Sequence, residues 1–275
     1  MCNKGENINR IQHNNIKVGG LNVHYLYGGQ GEPLVIIHGG GSGINEWQKN
    51  MEVLSEHYTV YAPDLPGFGN SQSINERFKL SEYVDFLDSF VDTIGLKRFY
   101  LLGHSIGGGI TLKFALKSPQ KIKSLILVSS MFLGKEIAIW ARYLSTPTIS
   151  RLLGEACISI FRAVGWVIKS FCASYKLSPP FSRVQMSIGT SIMTLKGQTT
   201  VLLDQLTELV MPTLLVWGAR DGIVPAIHAY AAADVIPDCR IYIFEGCGHN
   251  VQKQKLQEFS QLVINFLGRN TEGDN

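Results

Sequence analysis

Three residues lying in a fixed order along the chain have the types and surroundings that acyl transfer needs. Ser105 occupies the middle of Gly103-His104-Ser105-Ile106-Gly107, between the apolar run at 99–103 and a helical pattern of Ile110, Leu112, Phe114, Ala115 and Leu116. A G-x-S-x-G sequence between strand and helix forces a tight turn that projects the serine Oγ outward, with small residues on both sides to admit it. A hydroxyl is a weak nucleophile until a base takes its proton, so the turn calls for a carboxylate and then a histidine further on. Asp221 follows the run 213–217 in a polar, glycine-bounded loop, and His249 follows the run 240–244 in the next such loop. The other histidines, His13, His24, His38, His57, His104 and His228, lack that context. For Asp221 the competing reading is an Asx turn opening the helix after Pro225. Acyl transfer also needs donors for the charge on the attacked carbonyl oxygen. The run 34–38 ends in Gly39-Gly40-Gly41-Ser42-Gly43, whose N–H groups no side chain screens, so Gly40 and Ile106 are the expected oxyanion donors. Gly39 and Gly41, on either side, join the candidate substrate-binding residues.

These residues need a frame. Short β-rich runs at 22–27, 34–38, 58–62, 99–103, 124–129, 213–217 and 240–244 alternate with helical periodicities, the pattern of helices laid on a mostly parallel sheet. Most of the runs are continuously apolar, as strands buried on both faces must be. Tyr83, Phe86, Leu87, Phe90, Val91 and Ile94 recur at helical spacing with Asp85, Asp88 and Asp92 opposite, which predicts an amphipathic helix. Leu256, Phe259, Leu262, Val263, Phe266 and Leu267 repeat the pattern, and Gly268 stands where that helix is expected to stop. Between 131 and 209 the alternation breaks into helical sequence with no strand-like run, and Ser178-Pro179-Pro180 separates its helices. The expected division is a loose leader over 1–16, a core over 17–130 and 210–269, a helical insertion over 131–209, and a tail over 270–275.

Composition narrows the classes. The 275 residues include 25 Lys and Arg against 22 Asp and Glu, a net charge of +3, and 45% are hydrophobic, enough for a sizeable core. With no basic run interleaved with aromatics, nucleic acid is not an expected partner. No stretch approaches the roughly 18–20 apolar residues of a membrane span. The polar amino terminus has no apolar signal segment, so a cytoplasmic protein is expected. Cys2, Cys157, Cys172, Cys239 and Cys247 show no C-x-x-C pair, so reduced thiols and no metal or other cofactor are expected. The expected partner is a small-molecule substrate, and a homo-oligomer is allowed.

Taken together, HGGGSG at 38–43, DLPGFGNS at 64–71, GHSIGG at 103–108, WGARDGIVP at 217–225 and GCGHNVQ at 246–252 resemble the α/β-hydrolase superfamily over residues 17–267. The resemblance implies an α/β fold with a mostly parallel eight-stranded sheet, helices on both faces, and a helical cap over the active site inserted after the sixth strand. It makes 64–71 a structural turn rather than a source of a catalytic Asp64, and the serine at the elbow disfavours branches with an aspartate nucleophile. Within the superfamily the glycine-rich turns and the CGH…Q tail are most similar to meta-cleavage-product hydrolases, which split carbon–carbon bonds. That family favours Pro at Ser42 and Trp at Asn250, and its cap supplies an arginine for the substrate carboxylate. Arg183 is the candidate among four cap arginines, and Asn250 completes the candidate substrate-binding set. These departures rank hydrolysis of small apolar carboxylic esters first and C–C hydrolysis second. A non-catalytic ligand-binding member of the fold is the third alternative.

Overall fold

The computed structural model describes residues 11–41, 43–72, 78–144, 188–189 and 191–271. Its centre is an eight-stranded sheet built from β1 (Gln12–Val18), β2 (Leu21–Gly28), β3 (Pro33–Ile37), β4 (Thr59–Pro63), β5 (Phe99–His104), β6 (Ile122–Val128), β9 (Thr213–Gly218) and β10 (Cys239–Phe244), in the order β1-β2-β4-β3-β5-β6-β9-β10. β2 pairs antiparallel with both β1 and β4, and every pairing from β4 through β10 is parallel. The fold is the α/β-hydrolase fold that the motifs imply.

Side-chain alternation on β5 explains why its sequence is apolar throughout. Phe99 and Leu101 enter one core, with α2 (Leu80–Thr93) and α3 (Ile106–Lys117), while Tyr100 and Leu102 enter the other, with α1 (Gln48–Leu54) and α6 (Leu256–Thr271). A strand covered on both faces has no polar side to show. α2 buries Tyr83, Phe86, Leu87, Phe90 and Val91 of the expected stripe and Val84 besides, while Ile94 stands just past its end.

Two expected boundaries move. Residues 12–16, assigned to the leader, are strand: β1 pairs with β2 along its whole length from Gln12↔Tyr27 to Val18↔Leu21. β1 is an edge strand, largely exposed, and QHNNIKV accordingly lacks the apolar run by which buried strands are recognised. Gly268 does not end the last helix, which continues to Thr271, past the expected tail boundary. Gly268 is not among the glycines with positive φ, so it serves as an ordinary helical residue rather than a left-handed cap.

The excursion after β6 also differs in detail from an all-helical insertion. Its described parts include α4 (Ile139–Leu144), a two-residue antiparallel ladder of β7 (Met193–Thr194) with β8 (Gly197–Gln198), and a 3₁₀ turn at Leu203–Glu208. Strands of two residues leave no periodicity to detect. The two ends are stitched together: the Phe132 N–H donates to Gln198 Oε1 at 2.8 Å, Gln198 Nε2 donates to the Gly134 carbonyl at 2.8 Å, and the Leu202 N–H donates to the Phe132 carbonyl at 2.8 Å. The stretch 145–187, with Ser178-Pro179-Pro180 and Arg183, lies outside the described residues.

Candidate active site

The site stands at the carboxyl ends of β5, β9 and β10. Ser105 joins β5 to α3 with φ 55° and ψ −120°, a left-handed conformation that costs a non-glycine residue about 1–3 kcal/mol. Its surroundings hold it there. The Ser105 N–H donates to the Val128 carbonyl at 2.9 Å, and its carbonyl accepts the N–H groups of Met131 at 3.0 Å and Gly109 at 3.2 Å. A Cβ at Gly103 would collide with Thr111 Oγ1, and one at Gly107 with the His38 carbonyl, which is why the turn is G-x-S-x-G.

The loop after β10 brings His249 Nε2 to 3.0 Å from Ser105 Oγ, and the loop after β9 brings Asp221 Oδ2 to 2.8 Å from His249 Nδ1. A carboxylate only accepts, so Nδ1 carries the ring proton and the Nε2 lone pair faces the serine hydroxyl. The Asp221 side chain is fully buried, and its second oxygen accepts the N–H groups of Ile223 at 2.9 Å and Val224 at 3.0 Å. Burial alone would raise its pKa, but the His249 hydrogen bond and charge, with the two amides, hold it below the ordinary aspartate value. The Asx-turn contacts and the bond to His249 therefore coexist on one carboxylate.

The glycine turn lies against the elbow. A Cβ on Gly39 would stand 3.1 Å from Ser105 Cβ, and one on Gly40 3.9 Å from Ile106 Cγ2. Ile106 opens α3, where an N–H has no acceptor within its own helix and the helix dipole is positive. His38 fixes the turn: its Nδ1–H donates to the Gly39 carbonyl at 2.6 Å, and its Nε2 accepts the Leu65 N–H at 3.0 Å. That pair of partners needs a neutral ring, in keeping with the burial that lowers its pKa. Gly41 faces the Glu46 carboxylate instead, with a Cβ there 3.3 Å from Oε2. Asn250 follows His249 as the N-cap of the short helix α5 (Val251–Gln254), and Arg183 is outside the described residues.

Asp64 is wholly buried and fully engaged. Its carboxylate accepts His24 Nδ1–H at 2.7 Å, the Ile44 N–H at 2.7 Å and the Asn70 N–H at 2.9 Å, the work of a structural turn. His24, His38 and His104, unremarkable in the sequence, are buried residues that shape the site. Among the described residues no group of three or more His, Cys, Asp or Glu side chains is placed to hold a metal ion, and no helix is long and apolar enough to cross a membrane.

Comparison with known proteins places the chain in a family. Residues 32–146 match the family model for the alpha/beta hydrolase fold. The chain is 30% identical to a 2-hydroxy-6-oxononadienedioate/2-hydroxy-6-oxononatrienedioate hydrolase of Escherichia coli, over 90% of this chain and 92% of that one. It is 27% identical to a 2-hydroxy-6-oxo-2,4-heptadienoate hydrolase of Pseudomonas putida, over 97% of this chain and 99% of that one. Among solved structures, a thermophilic esterase from Thermogutta terrifontis superposes with a TM-score of 0.74 at 23% identity, covering 94% of this chain and 99% of the other. The chain belongs to the α/β-hydrolase family and is a hydrolase of that family. The relatives favour the C–C hydrolases over the esterases, reversing the order in which the sequence departures placed them.

Proposed function

We propose that the protein hydrolyses a carbon–carbon bond in a ring-fission dienoate, with Ser105 as nucleophile, His249 as general base and acid, Asp221 as the orienting carboxylate, and the N–H groups of Gly40 and Ile106 as oxyanion donors. The observation that carries the bond type is the full-length similarity to two hydrolases named for such dienoates. The roles rest on the hydrogen-bonded chain from Ser105 Oγ through His249 to Asp221.

In this reading Ser105 Oγ adds to the substrate ketone as its proton passes to His249 Nε2. The oxyanion meets two main-chain donors at the positive end of α3, each worth about 3 kcal/mol of barrier. Collapse breaks the bond between the carbonyl carbon and the dienoate. Because the dienol has first moved its 2-hydroxyl proton onto the carbon that departs, leaving a 2-oxo group, the released electron pair spreads along the chain to that oxygen, which then takes the His249 proton. Water, activated by the same imidazole, releases the acyl group from Ser105 as an acid. Asp221 keeps the proton on Nδ1 throughout. The substrate's carboxylate needs a cation, because burying it unpaired costs several kcal/mol, and Arg183 is assigned that task. Hydrolysis of small apolar esters is the second reading, since the acyl half of the reaction is the same and an esterase shares the fold.

The test is a rate comparison of a 2-hydroxy-6-oxo-dienoate with esters of graded chain length. The C–C reading expects kcat/KM for the dienoate at least about 100-fold above the best ester, and Arg183→Ala to remove most of that preference, as loss of one paired charge should. Faster turnover of neutral esters, unaffected by Arg183→Ala, would establish the second reading instead.

A further inference from the structure

His104 precedes Ser105 on β5 and has no part in the chemistry above, yet its imidazole touches the base. Its Nε2 lies 3.0 Å from the His249 carbonyl oxygen, and the two rings stack at a tilt with centroids 4.9 Å apart. A carbonyl only accepts, so the proton sits on Nε2. Nδ1 is buried, finds no hydrogen-bond partner among the described residues, and faces Gly39 so closely that a Cβ there would stand 2.8 Å away. Trp47 packs edge-on against the ring at 6.2 Å. The side chain thus meets the glycine turn and the His249 loop while its main chain carries the nucleophile.

We infer that His104 is a positioning residue for His249: its Nε2–H fixes the main-chain height from which the His249 ring reaches Ser105 and Asp221 together. The inference rests on the serine-hydrolase reading for its effect on rate, and on geometry alone for its effect on the ring. The rest of the His249 loop is held at other points. The Arg220 N–H donates to the Cys247 carbonyl at 2.8 Å, the Gly248 N–H to Gln254 Oε1 at 2.8 Å, and Asn50 Nδ2 to the Gln252 carbonyl at 3.0 Å. Among the contacts to the loop, the one on the His249 carbonyl itself is made by the residue beside the nucleophile, so movement of one is passed to the other. The His249 ring and Lys253 oppose protonation of His104, whereas the hydrogen bond to the His249 carbonyl and the charge of Asp221 favour it. Burial is the largest influence and pushes its pKa down to about 3, so the donor is neutral near pH 7.

The experiment compares His104→Leu, which keeps bulk but no donor, with His104→Gln, which keeps an N–H donor of similar reach. Three quantities are read: the rate of Ser105 labelling by a fluorophosphonate, the low-field proton resonance of the His249 Nδ1–H bonded to Asp221, and the melting temperature. A displaced base costs roughly a hundredfold in rate for a shift near one ångström, so His104→Leu is expected to slow labelling about 10- to 100-fold and to move or broaden the low-field resonance. His104→Gln is expected to stay within about fivefold of wild type and to keep the resonance, by the same geometric argument. An unchanged resonance in His104→Leu overturns the inference even if the protein hydrolyses nothing. Equal losses in the two variants at equal melting temperature also overturn it, by showing that the Nε2–H donor is not what holds His249. Failure of the wild type to label at Ser105 would refute the serine-hydrolase reading, and the resonance would still decide the role of His104.

Discussion

Lys253 Nζ closes on Glu46 Oε2 at 2.6 Å, so the helix that follows His249 is tied to the turn that follows the oxyanion glycines. The pair is lopsided: the Glu46 side chain is 10% exposed and that of Lys253 is 42% exposed. Lys253→Ala leaves a nearly buried carboxylate without its cation, whereas changing both residues leaves nothing unpaired. Lys253→Ala is therefore expected to cost about 1 kcal/mol in denaturant unfolding, and Glu46→Gln combined with Lys253→Ala to recover part of it. A double variant less stable than Lys253→Ala would show the glutamate to be useful without its partner.

Removal of the nucleophile should separate chemistry from folding. Ser105→Ala is expected to lower kcat by about 10⁴–10⁶, as in triad enzymes, with no fall in melting temperature, because alanine relaxes none of the main-chain bonds that hold the elbow. Asp221→Asn should lose turnover by about 10⁴, because the amide stabilises the wrong imidazole tautomer. Turnover by Ser105→Ala within tenfold of wild type would remove the nucleophile assignment.

Acid should weaken the fold through its buried histidines. His104 is held at about 3 against an ordinary 6.5, chiefly by burial and then by His249. Below pH 6.5 the unfolded chain takes a proton that the folded chain refuses, so the neutral ring's contribution is complete above 6.5 and shrinks as pH falls toward 3. One such group gives a slope of about 1.4 kcal/mol per pH unit. Asp221, with its folded pKa below the ordinary 3.8, adds a contribution that is present above that value and lost beneath it. Denaturant unfolding between pH 4 and 7 should show a shallower slope for His104→Gln than for wild type, and equal slopes would contradict the assignment of a neutral buried ring.

Asp64 makes a different demand on stability. Asp64→Ala strands the N–H groups of Ile44 and Asn70 and the Nδ1–H of His24, all of which it now satisfies. Breaking a buried charged network of this kind costs about 3–5 kcal/mol, or about 10 °C in melting temperature for a domain of this size. A fall of no more than 2–3 °C, equivalent to about 1 kcal/mol, would mean that water replaces the carboxylate and that the turn is not held by it.

What could be read from the sequence was set by how local the cause is. The elbow at Ser105, the loop at Asp221 and the loop at His249 each follow an apolar strand, and a turn at the mouth of a buried strand is legible from a few residues. β1 is not legible, because its partner β2 supplies the hydrogen bonds while most of its own side chains face water, so QHNNIKV carries no strand signature. Gly268 does not mark the helix end, because nothing near it penalises helix and a glycine stops a helix only where the chain takes positive φ. In the sequence His104 is one histidine among seven. Its meaning comes from a residue 145 positions away, a separation that no local pattern records.

The stitching of Phe132 to Gln198 and Leu202 bears on how this fold diversifies. A segment whose two ends already meet through hydrogen bonds imposes little additional closure entropy on the core when its length changes, since each doubling of a loop costs only about 0.6 kcal/mol. Everything between those stitches can therefore be lengthened, shortened or exchanged for the corresponding piece of a relative while Ser105, Asp221 and His249 keep their strands. Selection for a new substrate can act on the intervening stretch as a replaceable part, and a laboratory graft made at the same two points should inherit the donor's preference without disturbing the recipient's chemistry.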